Sequence, residues 1–310
     1  FYLRKRQGGV PMTGKKFKPK RYIGLVYIAP WLIGFLLFQL YPFVASFCYS
    51  FTDYTLLNRS QFVGLENYRT LFTTDPQFLS TMKITGIYAL LSVPLKLTFA
   101  LFIAMLLNAK IKGIGIYRSL YYLPSILGGS VAVSVLWRVM FMKDGMINHF
   151  LGIFGIAPVN WLTGEHLALF TLSLLQVWQF GSAMVIFLAA LKGIPSELYE
   201  AASIDGGGKW KQFIHITLPQ ISSVIFFNLI MQSIQALQNF TSAFVITNGG
   251  PMKKTYIIGM KLYDDAFRFY KVGYACAESW ILFIVILALT LLVFKSSNAW
   301  VYYADEGGTK

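Results

Sequence analysis

The side chains best suited to contact a polar solute lie along one apolar segment in the second half of the sequence. They follow one another at steps of 4, 3, 4 and 3 and are Asn228, Gln232, Gln235, Asn239 and Ser242. This spacing places all five on one face of a helix. Exposing a polar side chain to lipid costs free energy. These residues therefore either hydrogen-bond to neighbouring helices or line a water-filled path. A length of about 21 Å favours the path.

A second polar group lies in the preceding apolar segment. Its members, Gln176, Gln179 and Ser182, are spaced three residues apart, with Trp178 and Phe180 beside them. Amides and hydroxyls can exchange hydrogen bonds with a hydroxylated solute, and aromatic rings can stack on its apolar face. Packing between helices explains the same pattern equally well.

Two basic residues interrupt apolar segments. Arg138 lies near one end of its segment, which favours extension to water or structural pairing. Lys96 lies in the middle of its segment, and no acidic residue of the same helix is placed to pair with it. We expect no buried Asp or Glu to accompany it. A charge at this depth is a candidate functional group that would suit an anionic solute.

Catalytic and metal sites are not indicated. The sequence Gly206-Gly207-Gly208-Lys209 resembles a phosphate-binding loop, but Ser203 replaces the first glycine that loop needs and Trp210 follows the lysine. The two cysteines lie in apolar stretches and the three histidines are scattered. We therefore predict that the chain holds no metal, binds no ATP by itself and is not an enzyme.

The elements that position these residues are membrane helices. A chain that is 56% hydrophobic and 13% charged, with a mean hydropathy of +0.57, is not a soluble domain. Crossing about 30 Å of hydrocarbon takes roughly 20 apolar residues in a helix. Six windows meet or nearly meet that length, so the predicted fold is an all-α integral membrane protein. The predicted spans are 22–51, 84–108, 121–142, 167–191, 220–247 and 277–294.

The distribution of Lys and Arg predicts the orientation. With six spans both termini lie on one side, and 16 of the 27 basic residues fall in the four segments of that side. The positive-inside rule makes this side the cytoplasm. Arm 1–21 supplies eight of the 16. A cleaved signal peptide is the alternative interpretation of the arm and first span, but the apolar run is about twice as long as a signal core and lacks a clear cleavage site.

Segment 192–219 is built as a helix, a turn and a second short helix. Ser196 is predicted to cap the first helix, Glu197 and Glu200 lie in its early turns, and Asp205-Gly206 ends it. The second helix is amphipathic and carries Trp210, Phe213, Ile214 and Thr217 near one face. The acidic residues of segment 192–219 offset its lysines, whereas a helix that lies in lipid headgroups has mainly basic residues on its polar face. We therefore expect a protein partner to dock on this segment.

The motif Glu200-Ala201-Ala202, followed by Asp205-Gly206 and then Phe213, resembles the EAA loop of ABC importer permeases. The resemblance implies that Glu200, Ala201, Ala202, Asp205, Gly206 and Phe213 couple the chain to an ATPase subunit. Glu200 would meet a basic group there. The sequence departs from the pattern at Gly207, where the family usually has alanine, so a looser turn is expected.

The resemblance extends over nearly the whole chain and is to carbohydrate importers of the maltose-permease type, first-permease branch. By similarity Asn239 matches an asparagine of the membrane sugar site, and Gln235 and Ala236 match neighbouring positions. Ala236 replaces a polar residue, so different hydroxyl contacts are expected. The further matching segments are Ala29-Pro30, Tyr41-Pro42, Ser50-Phe51-Thr52, Phe62-Val63-Gly64-Leu65-Glu66-Asn67-Tyr68, Arg118, Tyr121-Tyr122-Leu123-Pro124, Leu136-Trp137-Arg138, Ile194-Pro195, Thr247-Asn248-Gly249-Gly250-Pro251 and Gly273-Tyr274-Ala275.

This resemblance implies a type I importer permease in a bacterial cytoplasmic membrane that carries an oligosaccharide. Its domains would be arm 1–21, first helix and outer loop 22–83, core 84–294 with EAA loop 192–219, and tail 295–310. Its partners would be a second homologous permease, two ATP-binding subunits that hold ATP and Mg²⁺, and an extracytoplasmic solute-binding protein docked on outer loops that include segment 247–254. Membrane lipid would surround it, and no nucleic acid is expected. Among oligosaccharides, an anionic one such as a uronate oligomer would suit the charge of Lys96.

An ion-coupled secondary transporter is the alternative. It would need ionisable groups near the midplane to carry protons or sodium, and Lys96 alone qualifies. A membrane-embedded enzyme is a third class, but its catalytic groups are not found in the sequence.

Overall fold

The computed structural model describes residues 23–55, 60–109 and 112–302. The predicted basic arm, residues 1–21, lies outside the described residues, as do residues 303–310 of the predicted tail. Apart from a β-bridge between Thr52 and Phe62, the regular structure of the described residues is helical, which confirms the all-α prediction. The chain divides after Cys48 into two compact units.

The first unit is the predicted first span. The described part of this span consists of α1 (Ile23–Phe35) and α2 (Tyr41–Tyr49), joined by a π-helical turn at Leu36–Leu40, and Tyr49 already belongs to the second unit. The segment Val26–Tyr49 is long and apolar enough to cross a membrane. Its large apolar side chains are exposed, as expected of a helix that faces lipid.

The second unit contains the remaining helices and two further π-helical turns. In chain order, they are α3 (Glu66–Thr73), α4 (Pro76–Leu107), α5 (Ile114–Leu127), α6 (Val131–Met140), α7 (Met146–Ile153), α8 (Leu167–Trp178), α9 (Gly181–Gly193), α10 (Ser196–Ile204), α11 (Lys209–Gln212), a π turn (Phe213–Thr217), α12 (Leu218–Gln220), α13 (Ser222–Leu237), α14 (Thr241–Ile246), α15 (Ile258–Tyr263), a π turn (Asp264–Arg268) and α16 (Val272–Trp300).

The spans are less regular than predicted. Among the described residues three helices are long enough to cross a membrane alone, and three bent pairs raise the number of candidate spans to six. The bends are 101° between α5 and α6, 47° between α8 and α9, and 65° between the 209–220 segment and α13. Two helices also extend beyond the predicted spans, because α4 begins at Pro76 and α16 covers Val272–Trp300. Asp75 caps α4 by accepting from the amides of Gln77 and Phe78, which explains the earlier start.

The fifth predicted span is not one helix. Helix α13 ends at Leu237, and the chain resumes as α14 at Thr241. Asn239 lies in the break, and Ser242 belongs to α14. The expectation that the five polar residues share one helical face is therefore wrong, because the face is interrupted before its fourth member.

Helix α4 is the centre of the second unit and packs against α8, α9 and α13. Its buried residues Leu97, Ala100 and Ala104 belong to one apolar core with Met184 and Phe187 of α9. A smaller apolar cluster forms near the start of α4. Its buried members are Leu71, Phe78, Ile258, Ala277 and Leu282. The polar residues on α8, α9 and α13 therefore lie on helices that pack against α4.

Candidate functional site

The loop predicted to dock a partner is a helix–turn–helix. Helix α10 begins at Ser196, and the short helix α11 continues into the π turn Phe213–Thr217. The predicted cap is wrong: Pro195 occupies the N-cap position and Ser196 is the first helical residue, with no side-chain capping bond. Proline fits just outside the helix because its ring fixes φ and its nitrogen has no hydrogen to leave unpaired.

The turn after α10 is tight. Gly206 has φ of +75°, a conformation that side chains other than glycine rarely adopt. Its amide donates to the carbonyl of Ser203 at 3.2 Å, and the amide of Gly207 donates to the carbonyl of Ala202 at 2.7 Å. This pair of bonds is a Schellman closure. A Cβ at Gly207 would lie 2.7 Å from that carbonyl oxygen, so glycine accommodates the close approach and the expected looser turn is not formed.

Side chains brace the two helices of the loop against each other. The amide nitrogen of Gln212 donates to the carbonyl of Gly207 at 3.0 Å and to the hydroxyl of Ser203 at 2.8 Å. The hydroxyls of Tyr199 and Thr217 lie 2.9 Å apart. Thr217 is buried, whereas Trp210, which was predicted near the same helix face, is exposed. The loop is therefore a braced unit suited to transmit force.

The outer surface of the loop combines carboxylates with exposed apolar groups. Glu200, Ala201 and Asp205 are exposed, while Ala202 and Phe213 are half-buried. The Trp210 side chain is 72% exposed and stacks on Phe213 with ring centroids 5.7 Å apart. Ile204 is 87% exposed. Large apolar side chains that are exposed on a braced loop are typical of a protein–protein contact.

Two of the predicted path residues, Asn239 and Ser242, form a hydrogen-bonded chain with Tyr88. The amide nitrogen of Asn239 donates to the hydroxyl of Tyr88 on α4 at 2.9 Å. The hydroxyl of Ser242 donates to the amide oxygen of Asn239, also at 2.9 Å. Tyr88 is 1% exposed, so the break between α13 and α14 is held against the middle of α4 by a buried polar chain.

The three path residues on α13 differ in environment. Asn228 and Gln232 are buried, at 1% and 3% exposure, and their side-chain oxygens have no hydrogen-bond partner in the described part of the chain. The amide nitrogen of Asn228 donates to the carbonyl of Val224 at 3.1 Å. Gln235 is exposed. The structure therefore does not bring these three side chains together with Asn239 in one continuous row.

The polar group of the fourth span joins two broken helices. Gln179 ends α8, and its amide nitrogen donates to the carbonyl of Gly128 at 2.7 Å. The backbone amide of Ser182 donates to the hydroxyl of Ser125 at 2.9 Å. The side-chain bond of Gln179 supports the packing explanation for that residue. Gln176 is half-buried on α8.

The two intramembrane basic residues also differ. The guanidinium of Arg138 donates to the carbonyl of Val245 at 3.4 Å, in agreement with structural pairing. Lys96 is 2% exposed within α4.

Sequence reasoning missed a buried ion cluster. The ammonium of Lys261 lies 2.8 Å from Asp75, 2.6 Å from Asp265 and 2.5 Å from Glu278. Glu278 is fully buried, and its ion partner is Lys261. The i,i+4 spacing of Lys261 and Asp265 was the available signal. The cluster ties the start of α4 to α15, the π turn after it and α16.

The hydroxyl of Tyr274 completes this ion cluster by donating to Asp75 at 2.7 Å. Burial alone would raise the pKa of Asp75, but hydrogen bonds from Lys261, Tyr274 and the Gln77 amide outweigh it, so the pKa is lowered. Asp75 is therefore a carboxylate at neutral pH and holds the cluster together through charge.

Comparison with protein families decides between a transporter subunit and the other classes. Residues 85–305 match the family described as the inner membrane component of binding-protein-dependent transport systems. The chain belongs to this family. This permease is thus a multi-pass inner-membrane protein that works with a solute-binding protein, and an ion-coupled carrier is not supported.

Individual relatives agree. The permease is 47% identical to the "Probable ABC transporter permease protein YesP" of Bacillus subtilis (strain 168), over 91% of this chain and 93% of that protein. It is 32% identical to the arabinooligosaccharides transport system permease protein AraP of the same organism, over 91% of each. A crystal structure of a bacterial ABC transporter involved in the import of the acidic polysaccharide alginate has the same fold. The TM-score is 0.78 at 22% identity, covering 89% of the permease and 95% of that chain.

Proposed function

We propose that this permease forms half of the membrane path of an ATP-driven importer for an oligosaccharide, with a second homologous permease as the other half. The observation that carries the proposal is the braced loop 192–219, whose Glu200 and Trp210 stand exposed at the surface. The arabinooligosaccharide system named for AraP supports the substrate class. Polar residues on helices that pack around α4 supply groups that bond to hydroxyls.

In this proposal two ATP-binding subunits dock on the loop from the cytoplasm. ATP and Mg²⁺ bound on those subunits supply the free energy, and the permease carries out no reaction of its own. Closure of the subunits displaces α10 and α11 together, because Gln212 and Tyr199 brace them. The loop lies between α9 and α13, so its displacement biases the membrane helices toward the outward-facing state.

The proposed substrate path follows the helices around α4. Asn239 and Ser242 lie at the break after α13, where a change of helix direction costs few backbone bonds. Gln235 is exposed on α13, where it faces either lipid or the second permease. Gln176 is the remaining candidate on α8. The termini are assigned to the cytoplasm by the distribution of basic residues.

Reconstitution tests this function. Vesicles that contain both permeases, the ATP-binding subunits and the loaded solute-binding protein should accumulate sugar only when ATP is supplied. Omitting the ATP-binding subunits should abolish uptake, and a proton gradient should not replace ATP. Uptake by the permease pair alone along a proton gradient would refute the proposal.

A further inference from the structure

A cavity of about 410 Å³ lies at the outer end of the third and fifth spans, as the predicted topology orients them. Three stretches of chain form its walls: residues 138–143 at the end of α6, residues 160–163 of the following loop, and residues 246–251 after α14. Sites for small molecules commonly have volumes of this size. None of the residues predicted to line the substrate path belongs to these walls, so the cavity is a separate site.

The cavity lies close to the proposed substrate path along α14. Ile246, the last residue of α14, lines the cavity, and Ser242 lies one helical turn before it, about 6 Å along the helix axis. The fifth span runs outward in the predicted topology. The cavity is therefore on the outer side of Asn239 and Ser242, where a solute arrives before it reaches the path.

A buried asparagine holds two walls of the cavity together. Asn148 is 4% exposed and does not line the cavity. Its amide nitrogen donates to the carbonyls of Lys143 and Val159, both at 2.9 Å. Its amide oxygen accepts from the backbone amide of Val159 and from the indole nitrogen of Trp161, both at 3.0 Å. These bonds fix the distance between the first wall and the second.

The third wall is also held by buried polar bonds. The hydroxyl of Thr255, which is fully buried, lies 2.7 Å from the hydroxyl of Thr247 and 2.6 Å from the carbonyl oxygen of Gly250. The hydroxyl of Thr247 donates in turn to the carbonyl of Ala243 at 3.0 Å. Surface loops are usually the variable part of a fold. Because side-chain bonds hold all three walls, the cavity is a built feature of the protein.

The lining combines aromatic surface with hydrogen-bond donors. The indole nitrogen of Trp161 is bonded to Asn148, so Trp161 offers the cavity its apolar ring. Arg138, Lys143 and Asn160 are exposed, and no carboxylate of the described residues lines the cavity. A sugar matches both features, because its ring has an apolar face and its oxygens accept hydrogen bonds. Inorganic phosphate would use the donors but not the aromatic surface.

We propose that this cavity is an outer binding site for one unit of the transported oligosaccharide, occupied after the sugar leaves the solute-binding protein and before it reaches Asn239. Arg138, Lys143 and Asn160 donate to the sugar oxygens, and the ring of Trp161 packs against the sugar. Asn148 is a positioning residue that acts through Trp161. The inference rests on the proposed function and adds a second sugar site to it.

Protection of an introduced cysteine tests whether sugar occupies the cavity. The probe is the oligosaccharide released from the native solute-binding protein, added to the complete importer purified without that protein. Cys48→Ser and Cys276→Ser remove the two cysteines of the chain, and Thr163→Cys places a thiol in the cavity lining. Saturating probe should slow labelling of this thiol by a water-soluble maleimide at least about fivefold, because only the unoccupied fraction reacts.

Asp144→Cys in the same background is the matched control, since Asp144 is exposed beside Lys143 and does not line the cavity. The probe should leave its labelling unchanged, and inorganic phosphate should protect neither thiol. Equal labelling of Thr163→Cys with and without the probe overturns the inference. Equal protection at both positions also overturns it, because the effect would not be specific to the cavity. Protection of Thr163→Cys by phosphate overturns it as well, since the site would then be one for anions.

Filling the cavity tests whether transport uses it. Thr163→Trp should lower uptake from the loaded solute-binding protein by about tenfold in vesicles with the complete importer, because the sugar loses hydrogen bonds to charged groups. Thr73→Trp makes the same change at an exposed threonine of α3 that lines none of the cavities described, and it should leave uptake unchanged.

Two further measurements on the Thr163→Trp variant separate this site from a protein contact and from the proposed function. The variant should bind the solute-binding protein with unchanged affinity, and weaker binding overturns the inference because the cavity would then receive that protein. Normal ATP-driven uptake in the variant overturns the inference and leaves the proposed function standing. Absence of ATP-driven uptake in the unmodified importer refutes the proposed function, whatever the labelling shows.

Discussion

Gln179 fills the space beside Gly128. Its amide nitrogen donates to the Gly128 carbonyl at 2.7 Å, and a Cβ on residue 128 would overlap its side chain. The contact joins the break between α8 and α9 to the end of α5. The two broken spans therefore meet at Gly128, which has no side chain. The breaks in the third and fourth spans are therefore in contact with each other.

Gly128→Ala should therefore destabilise the permease by about 1–3 kcal/mol, the usual cost of forcing a methyl group into a packed site. The thermal midpoint of the purified permease in detergent reports the effect. Gly129→Ala is the matched control, because a Cβ there meets nothing within 4 Å. The double variant Gly128→Ala/Gln179→Ala should recover much of the loss. Equal midpoints for the two single alanine variants would contradict the account.

The breaks show what the sequence predicts and what it does not. Six apolar windows can be predicted because a span needs a minimum length and a high hydropathy. Both quantities are obtained by adding up consecutive residues of the sequence. The bend at 128–130 is in contact with Gln179, which lies 51 residues away in the chain. Such a contact leaves no periodic signal, so the third and fourth spans were predicted as unbroken helices.

The Gly206 turn sets the angle of the loop. Its φ of +75° makes alanine strained at this position by about 1 kcal/mol. Gly206→Ala should lower the ratio of sugar imported to ATP hydrolysed in reconstituted vesicles, because a distorted turn transmits closure poorly. Gly208→Ala is the control, since that residue has φ of −67° and open space at its Cβ. A normal ratio in Gly206→Ala would show that the turn geometry is not needed for coupling.

Trp210 is expected to anchor the ATP-binding subunit. Its side chain is 72% exposed on a braced loop, and exposed tryptophans are frequent hot spots of interfaces. Trp210→Ala should weaken the affinity for the ATP-binding subunit by about tenfold, as measured by binding of the purified subunit to immobilised permease. Lys211→Ala alters the neighbouring exposed residue and should change affinity far less. Equal affinities for the Trp210 variant and the original would place the docking contact elsewhere.

The ion cluster around Lys261 should stabilise the fold. Lys261→Met leaves Asp75, Asp265 and Glu278 without their common partner, which costs about 3–5 kcal/mol for a buried charge pair. The thermal midpoint in detergent should fall clearly. Lys271→Met, at an exposed lysine near the same cluster, should change stability by less than about 0.5 kcal/mol. Similar midpoints for both variants would refute the role of the cluster.

The candidate sites were predictable to different degrees. The EAA-like motif is local in sequence, so Glu200, Asp205 and Gly206 were predicted to lie where the structure places them. The stripe beginning at Asn228 follows a helical period, yet α13 ends before Asn239, and no local residue pattern marks that end. The ion cluster combines residues from 75 to 278, and only the Lys261–Asp265 pair is visible in the sequence.

The central claim is that Glu200 couples this permease to a separate ATPase. The most direct measurement is sugar uptake and ATP hydrolysis in the same vesicles with Glu200→Lys, beside Glu66→Lys as an exposed glutamate outside the loop. The account predicts that Glu200→Lys loses uptake and its link to hydrolysis, while Glu66→Lys keeps both linked. Uptake that stays normal and ATP-dependent in Glu200→Lys would contradict it.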